Sequence, residues 1–130
     1  MRKLIVLIWL SAILSVNVLS SYAIAGEELD QDLMQTIEDT NKSLSSNIAL
    51  QRIDASVSDA QDLNNMFATV EAHFVKKGDA ENAVDLSKKS KDLSQDIIKL
   101  VNEKNFDSAT NSATELSRTC KSCHTFYKKE

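Results

Sequence analysis

From residue 29 onward, apolar residues return every three or four positions, the period of a helix that buries one face, with polar residues around the rest of the circumference. Leu29, Leu33, Ile37, Leu44 and Ile48 form a first stripe, flanked by Met34 and Asn41. Val57, Ala60, Leu63, Phe67, Val70 and Phe74 form a second. The third runs through Ala83, Leu86, Leu93, Ile97, Leu100 and Val101. Ala109, Ala113, Leu116, Cys120, Cys123 and Tyr127 make the fourth. Between stripes the chain carries local breaks. Residues 51–54 form a mostly polar connection, and Asp54 or Ser56 can cap the helix that follows. Lys76-Lys77-Gly78-Asp79 reads as a basic last turn, a left-handed glycine and a new N-cap. Residues 102–107 make the third break, with Asn105 or Asp107 as the cap. Short connections make consecutive helices antiparallel, so the expected fold is all-α, an up-down-up-down four-helix bundle. The alanines at positions 60, 83, 109 and 113 either allow close helix packing or leave room for something flat.

The residues before the first stripe follow a different rule. Met1-Arg2-Lys3 is a short basic head, Leu4 to Leu19 carries no charge, and Ala23-Ile24-Ala25 precedes Gly26 and the acidic pair Glu27-Glu28. That is the anatomy of a cleavable secretory signal over 1–25, with residues 26–130 as the single exported domain. The apolar stretch is near the length of a membrane span, but the small-residue cleavage site and the abrupt acidic switch favour removal. No stable membrane insertion is expected afterwards, and the location expected is the periplasm. Arg2 and Lys3 leave with the signal, so 13 of the 15 basic residues remain against 19 acidic ones, a net charge of −6. A mildly acidic chain without a basic tract is no nucleic-acid binder. With no proline and two glycines, turn-rich β folds and glycine-rich phosphate loops also lose their support.

The two cysteines stand three apart with a histidine directly after them, Cys120-Lys121-Ser122-Cys123-His124. Cys-x-x-Cys-His is the attachment motif of c-type haem. Thiols one helical turn apart add across the two porphyrin vinyl groups, and the adjoining imidazole becomes the proximal iron ligand. Three other chemistries use such residues. A disulfide here closes a trivially small loop, a thioredoxin-like pair needs a βαβ context, and a zinc site needs four ligands where His73 is the only other histidine. One covalent haem c on Cys120 and Cys123, with His124 on the iron, is therefore the expectation.

For the other face of the iron the candidates are Met34, Met66, His73 or no protein group. In an antiparallel bundle the end of the fourth helix lies beside the start of the first. His124 is about 9 Å of helix from the C-terminus and Met34 about 12 Å from the mature N-terminus, so their levels match. Met66 lies deeper and His73 near a helix end.

This motif near the end of a four-helix chain, with Tyr127 and Lys128 after it, resembles the class II c-type cytochromes, the cytochrome c′ type and its low-spin relatives. The chain is also similar to the soluble periplasmic b-type cytochrome with a four-helix bundle. The Met-x-Thr-Leu-Asn-Asp-Asn opening of that family resembles Met34-Gln35-Thr36-Ile37-Glu38-Asp39-Thr40. Its closing stretch resembles Leu100-Val101-Asn102-Glu103 and then Thr119 through Lys128, with the haem histidine falling on His124. The resemblance implies that Met34 is the distal iron ligand. The b-type relatives lack the cysteines, so Cys120 and Cys123 place this chain with covalent haem. Asp30 stands where cytochrome c′ proteins usually have an arginine, which supports methionine ligation.

A His–Met iron has no open position and suits one-electron transfer. The function implied is a periplasmic monohaem electron carrier rather than an enzyme, with periplasmic redox proteins as partners. The alternative is a five-coordinate iron that binds nitric oxide or carbon monoxide, with Met34 merely packing. Homodimerisation is left open. Arg118, Lys121, Lys128 and Lys129 sit around the motif, where they complement the helix dipole or face an acidic partner.

Overall fold

A computed structural model describes residues 29–127, and all four expected helices are present. They are α1 (Gln31–Ala49), α2 (Ile53–Lys77), α3 (Glu81–Asn102) and α4 (Phe106–Tyr127). Each packs on its chain neighbour and α1 also packs on α4, which closes an antiparallel four-helix bundle. The α2–α3 pair is the most extensive contact and α1–α4 the least. The proposed signal segment 1–25 lies outside the described residues, as do Lys128 and Lys129. Among the described residues, no helix is long and apolar enough to cross a membrane.

Three-residue connections join the helices, and each turns through one left-handed residue: Gln51, Gly78 and Lys104. Gly78 does this without a side-chain penalty at φ +79°. Gln51 and Lys104 do it as ordinary L-residues, at φ 53° and 58°. Backbone bonds hold both. Gln51 N–H donates to Ile48 O and Arg52 N–H to Asn47 O, each at 2.9 Å, while Lys104 donates to Val101 O and Asn105 to Leu100 O at the same distance. That is the Schellman pattern, which satisfies the last carbonyls of α1 and α3.

The caps differ in part from the expected ones. Asp30 caps α1, accepting from Asp32 N–H at 3.0 Å, and Asn105 caps α4, accepting from Ser108 N–H at 3.2 Å. Neither Asp54 nor Ser56 caps α2. The tight turn out of α1 puts Arg52 at the N-cap, its carbonyl taking Ser56 N–H at 3.0 Å, so Ser56 lies inside the helix and fully buried. Asp79 does not cap α3 either. Ala80 holds that place, 3% exposed, its carbonyl taking the N–H groups of Ala83 and Val84, and Asp79 faces Lys77 at 3.9 Å.

Ile37, Leu44 and Ile48 of α1, Ala60, Leu63, Phe67, Val70 and Phe74 of α2, Ile97 and Val101 of α3, and Ala109, Ala113 and Leu116 of α4 build the core. The third stripe needs correction. Leu86, Leu93 and Leu100 are only half-buried, and the core face of α3 reads Ala83, Ser87, Ser90, Ser94, Ile97, Val101. Serines can be buried there because each hydroxyl donates one turn back: Ser87 to Ala83 O at 2.7 Å, Ser90 to Leu86 O at 2.9 Å, Ser94 to Ser90 O at 2.8 Å. Polar ties cross the helices outside the core. Asn47 donates to Asp59, Asn64 to Lys91 O, Lys91 to Glu71 and Lys89 to Glu115.

Leu63 is fully buried where α2 crosses the packed half of the bundle. Leu63→Ala is expected to lower unfolding free energy by about 2–5 kcal/mol, the range for emptying a buried leucine site. Urea denaturation followed by circular dichroism measures it.

Candidate functional site

At the end of the bundle where α1 begins and α4 finishes, the helices surround a small open cavity of about 80 Å³. That is smaller than the roughly 300–1,000 Å³ of an ordinary small-molecule or cofactor site. All four helices line it. Met34, Ile37, Glu38 and Asn41 come from α1, Phe67 and Val70 from α2, Ser87 and Ser90 from α3, and Thr119, Cys120, Cys123 and His124 from α4.

Local structure explains these positions. Met34 sits in the first turn of α1, its N–H bonded to Asp30 O at 3.1 Å, so the Asp30 cap sets where that side chain projects. Cys120, Cys123 and His124 lie in one unbroken stretch of α4, where spacings of three and four residues put side chains on a common face. The antiparallel course of α1 and α4 brings the two sets to the same level. Met34, Cys120, Cys123 and His124 thus line one cavity, although ninety positions of chain separate the methionine from the histidine. The other two axial candidates are elsewhere. Met66 is packed against the hydrophobic core, and His73 meets Phe74 edge-on, with ring centroids 5.1 Å apart; neither lines the cavity.

Hollowness comes from the serines rather than the alanines. None of Ala60, Ala83, Ala109 and Ala113 lines the cavity, so these residues serve close helix packing, whereas Ser87 and Ser90 face the space with short side chains. Asn41, Ser87, Ser90 and Thr119 do not stand out in the sequence as site residues. The signal that identifies the serines is their spacing in register with Ala83, Ile97 and Val101 on a helix that has leucines to spare.

Electrostatically the wall is mixed. Burial raises the Cys120 thiol to about 11, with the neighbouring Cys123 adding to the effect, and burial also raises Cys123. Both cysteines are free, and at neutral pH both remain S–H. A thioredoxin-like pair depends on the opposite shift, a thiolate stabilised near neutrality. Glu38 is held below the usual carboxylate range, first by a hydrogen bond from Lys42 and next by that ammonium's charge, with a smaller contribution from His124. The Lys42–Glu38 pair is 2.8 Å long, and its lysine is correspondingly raised. Arg118 turns to Glu115 at 3.6 Å. Among the described residues no three His, Cys, Asp or Glu side chains are grouped to hold a bare metal ion.

The donor set fits an iron porphyrin better than a bare ion. One imidazole and one thioether are axial ligands for an iron whose other four positions are filled by the porphyrin, and two thiols are the nucleophiles that its vinyl groups need. The apolar side chains Ile37, Phe67 and Val70 supply the wall for a flat hydrophobic ring. Comparison with known proteins leaves this geometry to stand by itself, for no family model, curated protein or solved structure matches the chain.

Ser90→Leu puts an apolar side chain into the cavity floor. The haem-free bundle is expected to gain about 1 kcal/mol from the apolar area covered, read as a higher urea midpoint. A lower midpoint means that the space is already filled by its neighbours.

Proposed function

We propose that the protein is an exported monohaem c-type cytochrome of the class II type, which carries single electrons in the periplasm and catalyses no reaction of its own. The observation that carries this reading is the common cavity of Met34, Cys120, Cys123 and His124, four side chains drawn from the two ends of the domain. Cys120 and Cys123 would hold the haem through thioether bonds, and His124 and Met34 would ligate its iron as the proximal and distal ligands. When bound, the haem supplies one-electron exchange between Fe(III) and Fe(II).

The chain's own residues shape that exchange. Methionine sulfur is a soft donor that favours Fe(II) and raises the potential. Ile37, Phe67 and Val70 keep the cavity wall apolar, which restricts water near the iron. With His124 and Met34 both ligating, no place would be left for a substrate to bind, and a ligand set that is the same in both oxidation states would require little rearrangement. These properties belong to a carrier. Its partners are periplasmic redox proteins, and the site of export is set by the signal segment at 1–25.

The test is the visible spectrum of the exported protein, oxidised and reduced, with and without carbon monoxide. The expected result is a sharp low-spin reduced spectrum that carbon monoxide leaves unmoved, and a Met34→Ala variant that becomes high-spin and binds the gas. A wild-type spectrum that is already high-spin and shifts with carbon monoxide assigns the protein to gas binding at a five-coordinate iron.

A further inference from the structure

The floor of the cavity is oxygen-lined, and every hydroxyl hydrogen on it points elsewhere. Ser87 and Ser90 donate to Ala83 O and Leu86 O at 2.7 and 2.9 Å, and Thr119 donates to Glu115 O at 2.9 Å. Each hydroxyl is left with lone pairs only. Asn41 completes the set. Its Nδ2 donates across to Ser117 Oγ at 2.9 Å, a bond that ties α1 to α4. The Ser117 hydroxyl spends its own hydrogen on Ala113 O at 3.1 Å, so it can only accept from Asn41, and this fixes which way the amide faces. Ser117 does not line the cavity and Asn41 does, so the amide oxygen is the end left to the cavity side. Asn41 Oδ1 is buried there with no hydrogen-bond partner.

A buried acceptor without a donor is costly to the empty protein. A positive charge near the oxygen offsets that cost, because the negative end of an amide dipole attracts it strongly in low dielectric. We infer that Asn41 Oδ1, with the hydroxyl oxygens of Ser87, Ser90 and Thr119, forms an acceptor-rich floor that stabilises the ferric haem over the ferrous one and so holds the reduction potential below what the methionine ligand alone would set. The inference rests on the haem reading above. The relevant difference between oxidation states is one electron: the ferric site carries one more positive charge, and acceptor dipoles facing it favour that state. Glu38 is the only carboxylate on the same wall. It is exposed and paired with Lys42, so solvent and its partner screen it, whereas Asn41 Oδ1 has neither. The amide is therefore the polar group on this wall with the greatest leverage on the iron.

The experiment is a spectroelectrochemical titration of the exported, haem-loaded protein as wild type, Asn41→Leu and Ser87→Ala. Asn41→Leu is expected to raise the midpoint potential, increasing the ratio of reduced to oxidised protein at a fixed ambient potential about fivefold, with the visible spectrum unchanged. Ser87→Ala is expected to shift it the same way by less, and it carries the test if the asparagine variant does not accumulate. A change that merely loosens the fold would alter the spectrum or the haem content; it would not move the potential upward at constant ligation. An equal or lower potential in either variant, with the wild-type spectrum retained, overturns the inference and leaves the haem reading standing. Wild-type protein exported without haem overturns the haem reading and, with it, this inference.

Discussion

A four-helix bundle is held together by side chains long enough to meet at its centre, and at one end of this bundle they are too short. Over the far half, Leu44, Ile48, Leu63, Ile97, Val101 and Leu116 interlock with the small residues Ala60, Ala109 and Ala113, all buried. Towards the start of α1 and the end of α4, the facing positions of α3 are Ser87 and Ser90, and the helices stand around an open space. Side chains that line such a space lose the dispersion contacts of a filled core. The packed half must therefore carry the stability of the fold, and the hollow half is free to hold something the chain itself does not provide. The rest of the architecture follows from that division.

The serines show how the hollow is kept without leaving their own hydroxyl hydrogens unsatisfied. Leucine in their place would fill the space, and alanine would leave it dry. A serine that bonds back to the carbonyl one turn earlier costs little when buried, yet presents an oxygen towards the space. The hollow end is consequently bounded by a hydrophobic wall from α1 and α2, a polar floor, and the sulfur and imidazole groups of Met34, Cys120, Cys123 and His124. Asn41 also lines this end and ties α1 to α4, the helix pair with the least contact, through Ser117.

Much of this is legible in the sequence, for physical reasons that differ from element to element. Helical periodicity gives the four helices and their antiparallel order, because every connection is too short for any other course. The Cys120–His124 motif is readable because its chemistry lies within five consecutive residues on one helix face. Met34 cannot be told from Met66 by periodicity, since both lie beside apolar stripes; only matching levels along antiparallel helices separates them, and the structure places Met34 alone of the two on the cavity. The α3 face is misjudged by hydrophobicity because Leu86, Leu93 and Leu100 repeat every seven residues and draw attention away from the serines one position along. Reading them requires the local back-bonding that makes a buried hydroxyl inexpensive. The turns at Gln51 and Lys104 carry no glycine signal at all, and the Schellman bonds that fix them are backbone properties, invisible in side-chain identity.

The central claim is that the two thiols on the cavity wall are covalently bonded to one haem, and the most direct measurement is the intact mass of the exported protein after acid–acetone extraction. The account predicts the mature polypeptide, cleaved after Ala25, plus one haem, and loss of that added mass when Cys120 and Cys123 are both replaced by alanine. A polypeptide mass with no haem attached, from cells that mature their other c-type cytochromes normally, would contradict it.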